Sequence, residues 1–182
     1  MLNKLSLAFA LLASPALATG LQVQVDGEAQ GTITIDLLED LAPLHVAQIT
    51  KLASEGAYDG VVFHRVIDGF MAQTGDVQFG KMGGDIAMAG RGGSQLPDIK
   101  AEFTDTPFDR GIVGMARSQS PNSANSQFFI MFDAGYFLNG QYTVVGRVTE
   151  GMDVVDAIKR GAGRNGEVRG TPDVMKTVTV TE

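Results

Sequence analysis

Polar and apolar residues alternate strictly near both ends of the chain. The alternation covers residues 21–25, 32–35 and 177–181. A repeat of two puts the apolar side chains on one face of an extended strand, so each segment is predicted to form a half-buried strand. The dipeptide Asp26-Gly27 favours a tight turn, which makes the first two segments an antiparallel hairpin.

Two segments repeat with the period of a helix. In residues 43–55 the apolar residues recur every three or four positions, a proline stands in the first turn, and Gly56 is placed to end the helix. Residues 152–160 predict a shorter helix, with an aspartate near its start and two basic residues before Gly161. The chain therefore carries two helices among many strands.

Between the helices lie five short runs rich in β-branched and aromatic residues, separated by glycine-rich loops. The runs are residues 61–66, 70–73, 112–115, 127–131 and 143–148. Many short strands with two helices predict a closed β-barrel whose ends are capped. Strand patterns continue on both sides of the glycine-rich residues 80–93, so this stretch is predicted to be a loop within one domain.

Residues 1–18 are predicted to be a secretory signal peptide rather than part of the fold. Lys4 supplies a positive start, residues 5–13 form an apolar run too short to span a bilayer, and Ala16-Leu17-Ala18 fits a cleavage site. A buried N-terminal helix is the alternative interpretation. We expect the remaining domain, residues 19–182, to be exported to a bacterial periplasm, without a membrane span.

The composition narrows the possible chemistry. The chain of 182 residues has a formal net charge of −7, and an acidic chain has no general attraction for nucleic acid. It contains no cysteine and two histidines, which disfavours thiolate zinc sites, cysteine nucleophiles and most other metal sites. We therefore expect no cofactor, no bound metal and no nucleic-acid partner.

Three local features have ordinary structural explanations. Gly75 and Lys81 have the spacing of a phosphate-binding loop, but Met82 stands where that motif needs a hydroxyl group. His45 has no histidine partner on its helix and is predicted to lie at the surface. His64 lies within an apolar run, where a packed, hydrogen-bonded histidine is commoner than a catalytic base.

Polar residues interrupt the apolar runs in a distinctive pattern. The segments concerned are residues 63–73, 114–117, 125–130, 136–142 and 145–148, which read FHRVIDGFMAQ, GMAR, NSQFFI, YFLNGQY and VGRV. In these segments and their spacing the chain resembles the cyclophilin-type peptidyl-prolyl isomerases. The resemblance implies a closed eight-stranded antiparallel β-barrel capped by two α-helices. It also implies an enzyme that accelerates rotation about X–Pro bonds in polypeptides and so assists protein folding.

Individual residues match functional positions of that family. Arg65 matches its catalytic arginine, and Gln73 matches a glutamine that contacts the substrate and can steady its carbonyl group. The predicted substrate-binding set is Phe70, Met71, Ala116, Arg117, Gln127, Phe129, Phe137, Leu138 and Tyr142. Within this set the resemblance implies that the apolar side chains hold the proline ring and that the backbone at Ala116 and Arg117 pairs with the substrate.

Three positions depart from the animal-type sequence of the family. Phe137 replaces a tryptophan, Tyr142 a histidine and Arg117 an asparagine, and all three resemble the bacterial branch. Because the tryptophan is a cyclosporin contact in the family, weak cyclosporin binding is expected. We expect a monomer whose partners are proline-containing polypeptides.

The matched residues suit a reaction that makes and breaks no bond to carbon. Rotation about an X–Pro bond must break amide resonance, with a barrier of about 18–20 kcal/mol. In the twisted amide the prolyl nitrogen regains its lone pair, and a fixed cationic donor such as Arg65 can hydrogen-bond to it. Two other interpretations stay open: a periplasmic chaperone that grips proline segments with little turnover, and a lipocalin-like barrel for a small ligand.

Overall fold

One antiparallel sheet of nine strands carries the fold in the computed structural model, which describes residues 19–182. The predicted signal peptide, residues 1–18, lies outside the described residues. The strands are β1 Gly20–Asp26, β2 Gly31–Leu37, β3 Val61–Val62, β4 Arg65–Ile67, β5 Met71–Thr74, β6 Ile112–Met115, β7 Phe128–Met131, β8 Val144–Glu150 and β9 Val174–Thr181. The helices of this part of the chain are α1 Pro43–Ser54 and α2 Met152–Ala157, with short 3-10 turns at Ile86–Met88 and Tyr136–Leu138.

The sheet is strongly curled but open, so the predicted closed eight-stranded barrel is wrong. The strand order is β3-β9-β1-β2-β8-β6-β7-β5-β4, which leaves β3 and β4 at opposite edges. These two strands follow each other in sequence, but β3 has two residues and pairs with β9, whereas β4 pairs with β5. The mainly β class with two helices is confirmed.

The outer edge of β4 is covered by a loop from the C-terminal part of the chain. The Val66 N–H donates to the Gly166 carbonyl oxygen at 2.7 Å, and the Gly161 N–H donates to the Val66 carbonyl oxygen at 2.9 Å. These bonds satisfy the backbone of an edge strand and block its pairing with other chains. The single strand predicted for residues 61–66 is thus divided between two edges of the sheet.

The predicted hairpin of β1 and β2 is confirmed. In its antiparallel register Leu21 lies opposite Ile35, and Val23 lies opposite Ile33. All four side chains are buried, as the alternation predicts. On its other side β1 pairs with β9, so strands from the two ends of the described chain are neighbours inside the sheet.

The main core lies between the sheet and α1. Val46, Ile49 and Leu52 of α1 are buried on one face, and α1 packs against β9. α2 is shorter than the predicted helix, because Ile158 adopts φ −57° and ψ 130°, which is extended backbone. The helix therefore ends where the chain turns its next apolar side chain, the buried Ile158, into the core. Among residues 19–182 no helix combines the length and apolarity needed to cross a membrane.

His45 is fully buried, so the prediction that it lies at the surface is wrong. Its Nδ1 lies 2.6 Å from Glu102 Oε2. The same carboxylate accepts the backbone N–H groups of Leu44 and His45 at 3.1 Å each, at the start of α1. A distant glutamate thus caps the helix and supplies the histidine with a polar partner, which makes its burial tolerable.

Candidate active site

Arg65 and Gln73 face each other across the β4–β5 pair. The two residues are register partners, so their side chains project from the same face of the sheet. Arg65 Nη1 donates to Gln73 Oε1 at 3.0 Å, and Arg65 Nε donates to the carbonyl oxygen of Asn165 at 3.0 Å. These bonds hold the guanidinium plane, while Arg65 Nη2 makes no hydrogen bond within residues 19–182.

Arg65 stays positively charged in this site. Partial burial lowers the pKa of the Arg65 guanidinium from its ordinary value, and the nearby Tyr142 acts in the opposite direction. An arginine in a protein stays protonated at neutral pH, so the site presents a fixed cation with unused donors. Among the described residues no group of three His, Cys, Asp or Glu side chains is arranged to hold a metal ion.

A row of hydrogen bonds continues from Gln73 to the loop that follows β5. Gln73 Nε2 donates to Gln127 Oε1 at 2.9 Å, and Gln127 Nε2 donates to the Gly92 carbonyl oxygen at 2.8 Å. Each amide oxygen accepts from the preceding donor in the row, so each amide group has one satisfied orientation. The placement of Arg65 therefore depends on the loop that carries Gly92.

Asp76 anchors that loop. One oxygen of its fully buried carboxylate accepts the N–H groups of Gln78 at 3.1 Å and Phe79 at 2.9 Å. The other oxygen accepts those of Gly90 at 2.7 Å and Gly92 at 2.9 Å. Gly92 has no room for a side chain, because a Cβ there would lie 2.5 Å from Asp76 Oδ1. One carboxylate thus fixes both ends of the loop.

The smaller of two neighbouring cavities, of about 240 Å³, opens beside Arg65. It is lined mainly by apolar and aromatic side chains, in full Arg65, Phe70, Met71, Gln73, Ala116, Arg117, Phe129, Phe137, Leu138 and Tyr142. The Phe129 ring stacks on Phe108 with centroids 5.8 Å apart and meets Tyr142 edge-on at 5.9 Å. Gly114 leaves room for this wall, since a Cβ there would lie 2.5 Å from Phe129. The cavity can hold a small apolar ring against a fixed aromatic surface.

A larger and more polar cavity of about 410 Å³ adjoins the first. The two cavities share Gln73, Ala116 and Arg117 in their walls. Residues of the loop anchored by Asp76 form one side of the larger cavity, and Gln127 lies in its wall. The two cavities therefore adjoin at the three shared residues, and we call them together the groove.

The structure brings the sequence-predicted site residues together. All eleven line the groove, ten of them in the smaller cavity and Gln127 in the larger one. Their roles in binding and catalysis stay predictions. Sequence analysis missed Asp76 and the Asn165 carbonyl group. Asp76 forms a local turn with residues 78–79, but its two other partners lie 14 and 16 residues away and leave no local signal.

His64, next to Arg65, is packed as predicted and is only 8% exposed. The predicted hydrogen bonding is wrong, because neither ring nitrogen has a partner within residues 19–182, although Val62 and Gln127 lie close to the ring. Burial lowers the pKa of His64 from its ordinary 6.5, and the nearby Asp76 carboxylate opposes this shift without outweighing it. The folded protein therefore holds a neutral histidine at neutral pH.

This burial predicts a loss of stability on mild acidification. The unfolded chain binds a proton at His64 near the ordinary pKa of 6.5, whereas the folded chain resists it. The His64 contribution to the free energy of unfolding is therefore complete above about pH 6.5 and declines as the pH falls toward the lower folded pKa. Urea denaturation between pH 5 and 7.5 should show this decline in the wild type and a smaller one in His64→Gln. Equal slopes in both proteins would contradict the prediction.

Comparison with known proteins agrees with this geometry. A sequence model of the family described as cyclophilin type peptidyl-prolyl cis-trans isomerase matches residues 21–181. A probable peptidyl-prolyl cis-trans isomerase of Brucella suis is 64% identical over 149 residues, covering 80% of this chain and 76% of the relative. Peptidyl-prolyl cis-trans isomerase B of Escherichia coli is 36% identical over 174 residues, covering 84% of this chain and 95% of the relative.

A solved structure shares the fold. The cyclophilin type isomerase of Cryptosporidium parvum, crystallised in the presence of the dipeptide Ala-Pro, gives a TM-score of 0.75 at 24% identity. The match covers 90% of this chain and 99% of that one. The chain belongs to the cyclophilin-type peptidyl-prolyl cis-trans isomerase family. Its activity is the cis–trans isomerisation of X–Pro peptide bonds.

Proposed function

We propose that this protein isomerises X–Pro bonds by binding the twisted amide more tightly than either planar form, with Arg65 as the donor to the prolyl nitrogen. The main support is that hydrogen bonds hold the Arg65 side chain in one position. Gln73 and the Asn165 carbonyl hold two of its nitrogens, and Nη2 has no partner within residues 19–182. A cation fixed in this way needs little reorganisation when the acceptor appears.

The selectivity for the transition state follows from amide electronics. In the planar amide the nitrogen lone pair is delocalised into the carbonyl group and accepts no hydrogen bond. Twisting the C–N bond makes the nitrogen pyramidal and restores the lone pair, so Arg65 gains an acceptor only in the transition state. The apolar wall formed by Phe129 and Met71 holds the proline ring, and Gln73 steadies the carbonyl side as it turns.

Catalysis by small amounts of protein tests this proposal against a binding-only chaperone. Uncatalysed X–Pro isomerisation takes tens to hundreds of seconds at 25 °C. Residues 19–182, at a few per cent of the concentration of an Ala-Pro peptide, should produce exchange peaks between the cis and trans forms in NMR spectra. Peptide binding without exchange would refute the enzymatic mechanism and favour the chaperone.

We further propose that the protein is exported to a bacterial periplasm as a monomer. Support for export comes from the pattern of Lys4, the apolar residues 5–13 and Ala16-Leu17-Ala18. Support for a monomer comes from the site residues: all eleven predicted ones meet in one groove, so the site needs no residue from a second copy. N-terminal sequencing of protein from its native source should begin at Thr19. Recovery of intact Met1 in soluble protein would contradict export.

Weak cyclosporin binding is proposed from Phe137. Its side chain is 67% exposed and lies against Phe70, with ring centroids 5.4 Å apart. A phenylalanine offers no indole N–H and less contact area than the tryptophan of animal-type cyclophilins. Phe137→Trp should therefore tighten cyclosporin inhibition at least several-fold and change the rate on short peptides little. Equal inhibition of wild type and variant would contradict this account.

A further inference from the structure

The groove concentrates unpaired positive charge on an acidic protein. Three arginines line it, and Asp98 is its one carboxylate among the lining residues described. Arg65, Arg91 and Arg117 form no salt bridge within residues 19–182. The chain as a whole carries 21 acidic and 14 basic residues, so carboxylates are plentiful elsewhere on its surface.

Five arginines lie outside the groove, and three of them are paired with a carboxylate. Arg110 pairs with an aspartate at 2.7 Å, Arg147 pairs with one at 3.0 Å, and Arg160 pairs with one at 2.9 Å. None of these three side chains lines either cavity. Arg164 and Arg169 also lie outside both cavities and form no salt bridge within residues 19–182. The groove therefore differs in having three unpaired arginines and a single carboxylate on one surface.

Arg91 and Arg117 present their charge differently. Arg117 is held by the carbonyl oxygens of Gln141 and Ser118 and lies 4.5 Å above the Tyr142 ring, so its charge is fixed in place. Arg91 is exposed, and within residues 19–182 its side chain makes one weak hydrogen bond, to Met88 Sδ at 4.0 Å.

The backbone beside Arg91 is nevertheless rigid. The Gly90 and Gly92 N–H groups are both bound to the Asp76 carboxylate. That carboxylate is buried and already accepts four N–H groups, so it has little capacity left to pair with the Arg91 side chain. Arg91 therefore places a mobile cationic side chain, carried by a fixed backbone, at the wall of the larger cavity.

We infer that this isomerase prefers proline segments that carry a carboxylate side chain near the proline, and that Arg91 is the residue that selects it. The inference rests on the proposed function, because it places the proline ring in the smaller cavity. An extended chain advances about 3.3 Å per residue, so a residue two or three positions from the proline passes the adjoining cavity. A glutamate there meets Arg91 and Arg117, whereas a lysine is repelled by both.

The test compares peptides that differ in one side chain. Two series place Glu, Gln or Lys two residues before or two residues after the proline, and NMR exchange gives kcat/KM for each. At low salt the glutamate peptide of one series should exceed its glutamine counterpart about two- to fivefold, with lysine lowest. The preference should shrink at 0.5 M salt, where screening is strong over roughly 4–5 Å.

Two variants test whether Arg91 causes the preference for glutamate over glutamine. Arg91→Gln should reduce the Glu-to-Gln ratio toward one. Lys176→Gln removes the same charge from an exposed side chain of β9, outside both cavities, and should leave the ratio unchanged. Equal rates for all three peptides, a lysine preference, or a ratio that survives Arg91→Gln would overturn the inference. Absence of exchange with every peptide would instead refute the proposed function.

Discussion

Replacing Arg65 by alanine should lower kcat on an Ala-Pro peptide by about 10²–10³ while substrate affinity changes little. The hydrogen bond to the prolyl nitrogen exists only in the twisted amide, so its loss raises the barrier without weakening binding of the planar substrate. NMR measures the two quantities separately, exchange from line shapes and binding from titrated shifts. Near-normal exchange in a folded Arg65→Ala protein would refute the assigned role.

Two further variants distinguish the charge of residue 65 from the geometry of its side chain, and catalysis from substrate binding. The kcat of Arg65→Lys should remain well below that of the wild type. An ammonium group lacks the planar arrangement of donors with which the guanidinium bonds to Gln73 and Asn165 at the same time. Phe129→Leu keeps an apolar wall but loses the aromatic stack on Phe108. It should weaken binding of the planar peptide and raise KM more than it lowers kcat.

Replacing Asp76 by alanine should reduce both stability and catalysis, although Asp76 lines neither cavity. Four backbone N–H groups lose a charged acceptor, and each such bond contributes roughly 1.5–3 kcal/mol. With water reaching part of the freed loop, we expect the free energy of unfolding to fall by about 3–5 kcal/mol. Urea denaturation measures this loss.

Asp76 should affect catalysis indirectly, by holding the loop that carries Gly92. Once Gly92 is released, its carbonyl oxygen no longer fixes Gln127, and the row to Gln73 and Arg65 loses its anchor. We expect kcat to fall by about tenfold or more in protein that is still folded. Asp85→Ala, an exposed acidic residue of the same loop, is the matched control and should change neither quantity. Wild-type kcat in folded Asp76→Ala would contradict this positioning role.

Much of the fold could be predicted because its signals are local. The alternation around Leu21 and Ile35 and the helical repeat around Ile49 each reflect which face of one element is buried. Closure of the barrel could not be predicted in this way. It depends on whether β3 and β4 meet across the ends of the sheet, and short strands leave no sequence pattern that reports their partners.

The site residues also differ in whether their local sequence identifies them. The residues around Arg65 were found because they fall in compact segments with a family resemblance. Asn165 contributes a backbone carbonyl group, for which any residue type would serve, so its identity carries no signal. The position of His45 was predicted wrongly for a related reason, since its partly buried partner Glu102 lies 57 residues away in sequence.

The pairing of β1 with β9 has a consequence for how the protein is made. Gly20 lies opposite Thr181, so β1, the first described strand, waits for β9, the last described strand, before its second edge is filled. Pairings so distant in sequence slow folding, because the whole intervening chain must be ordered before they form. A nascent chain therefore cannot complete this sheet until β9 has emerged from the ribosome.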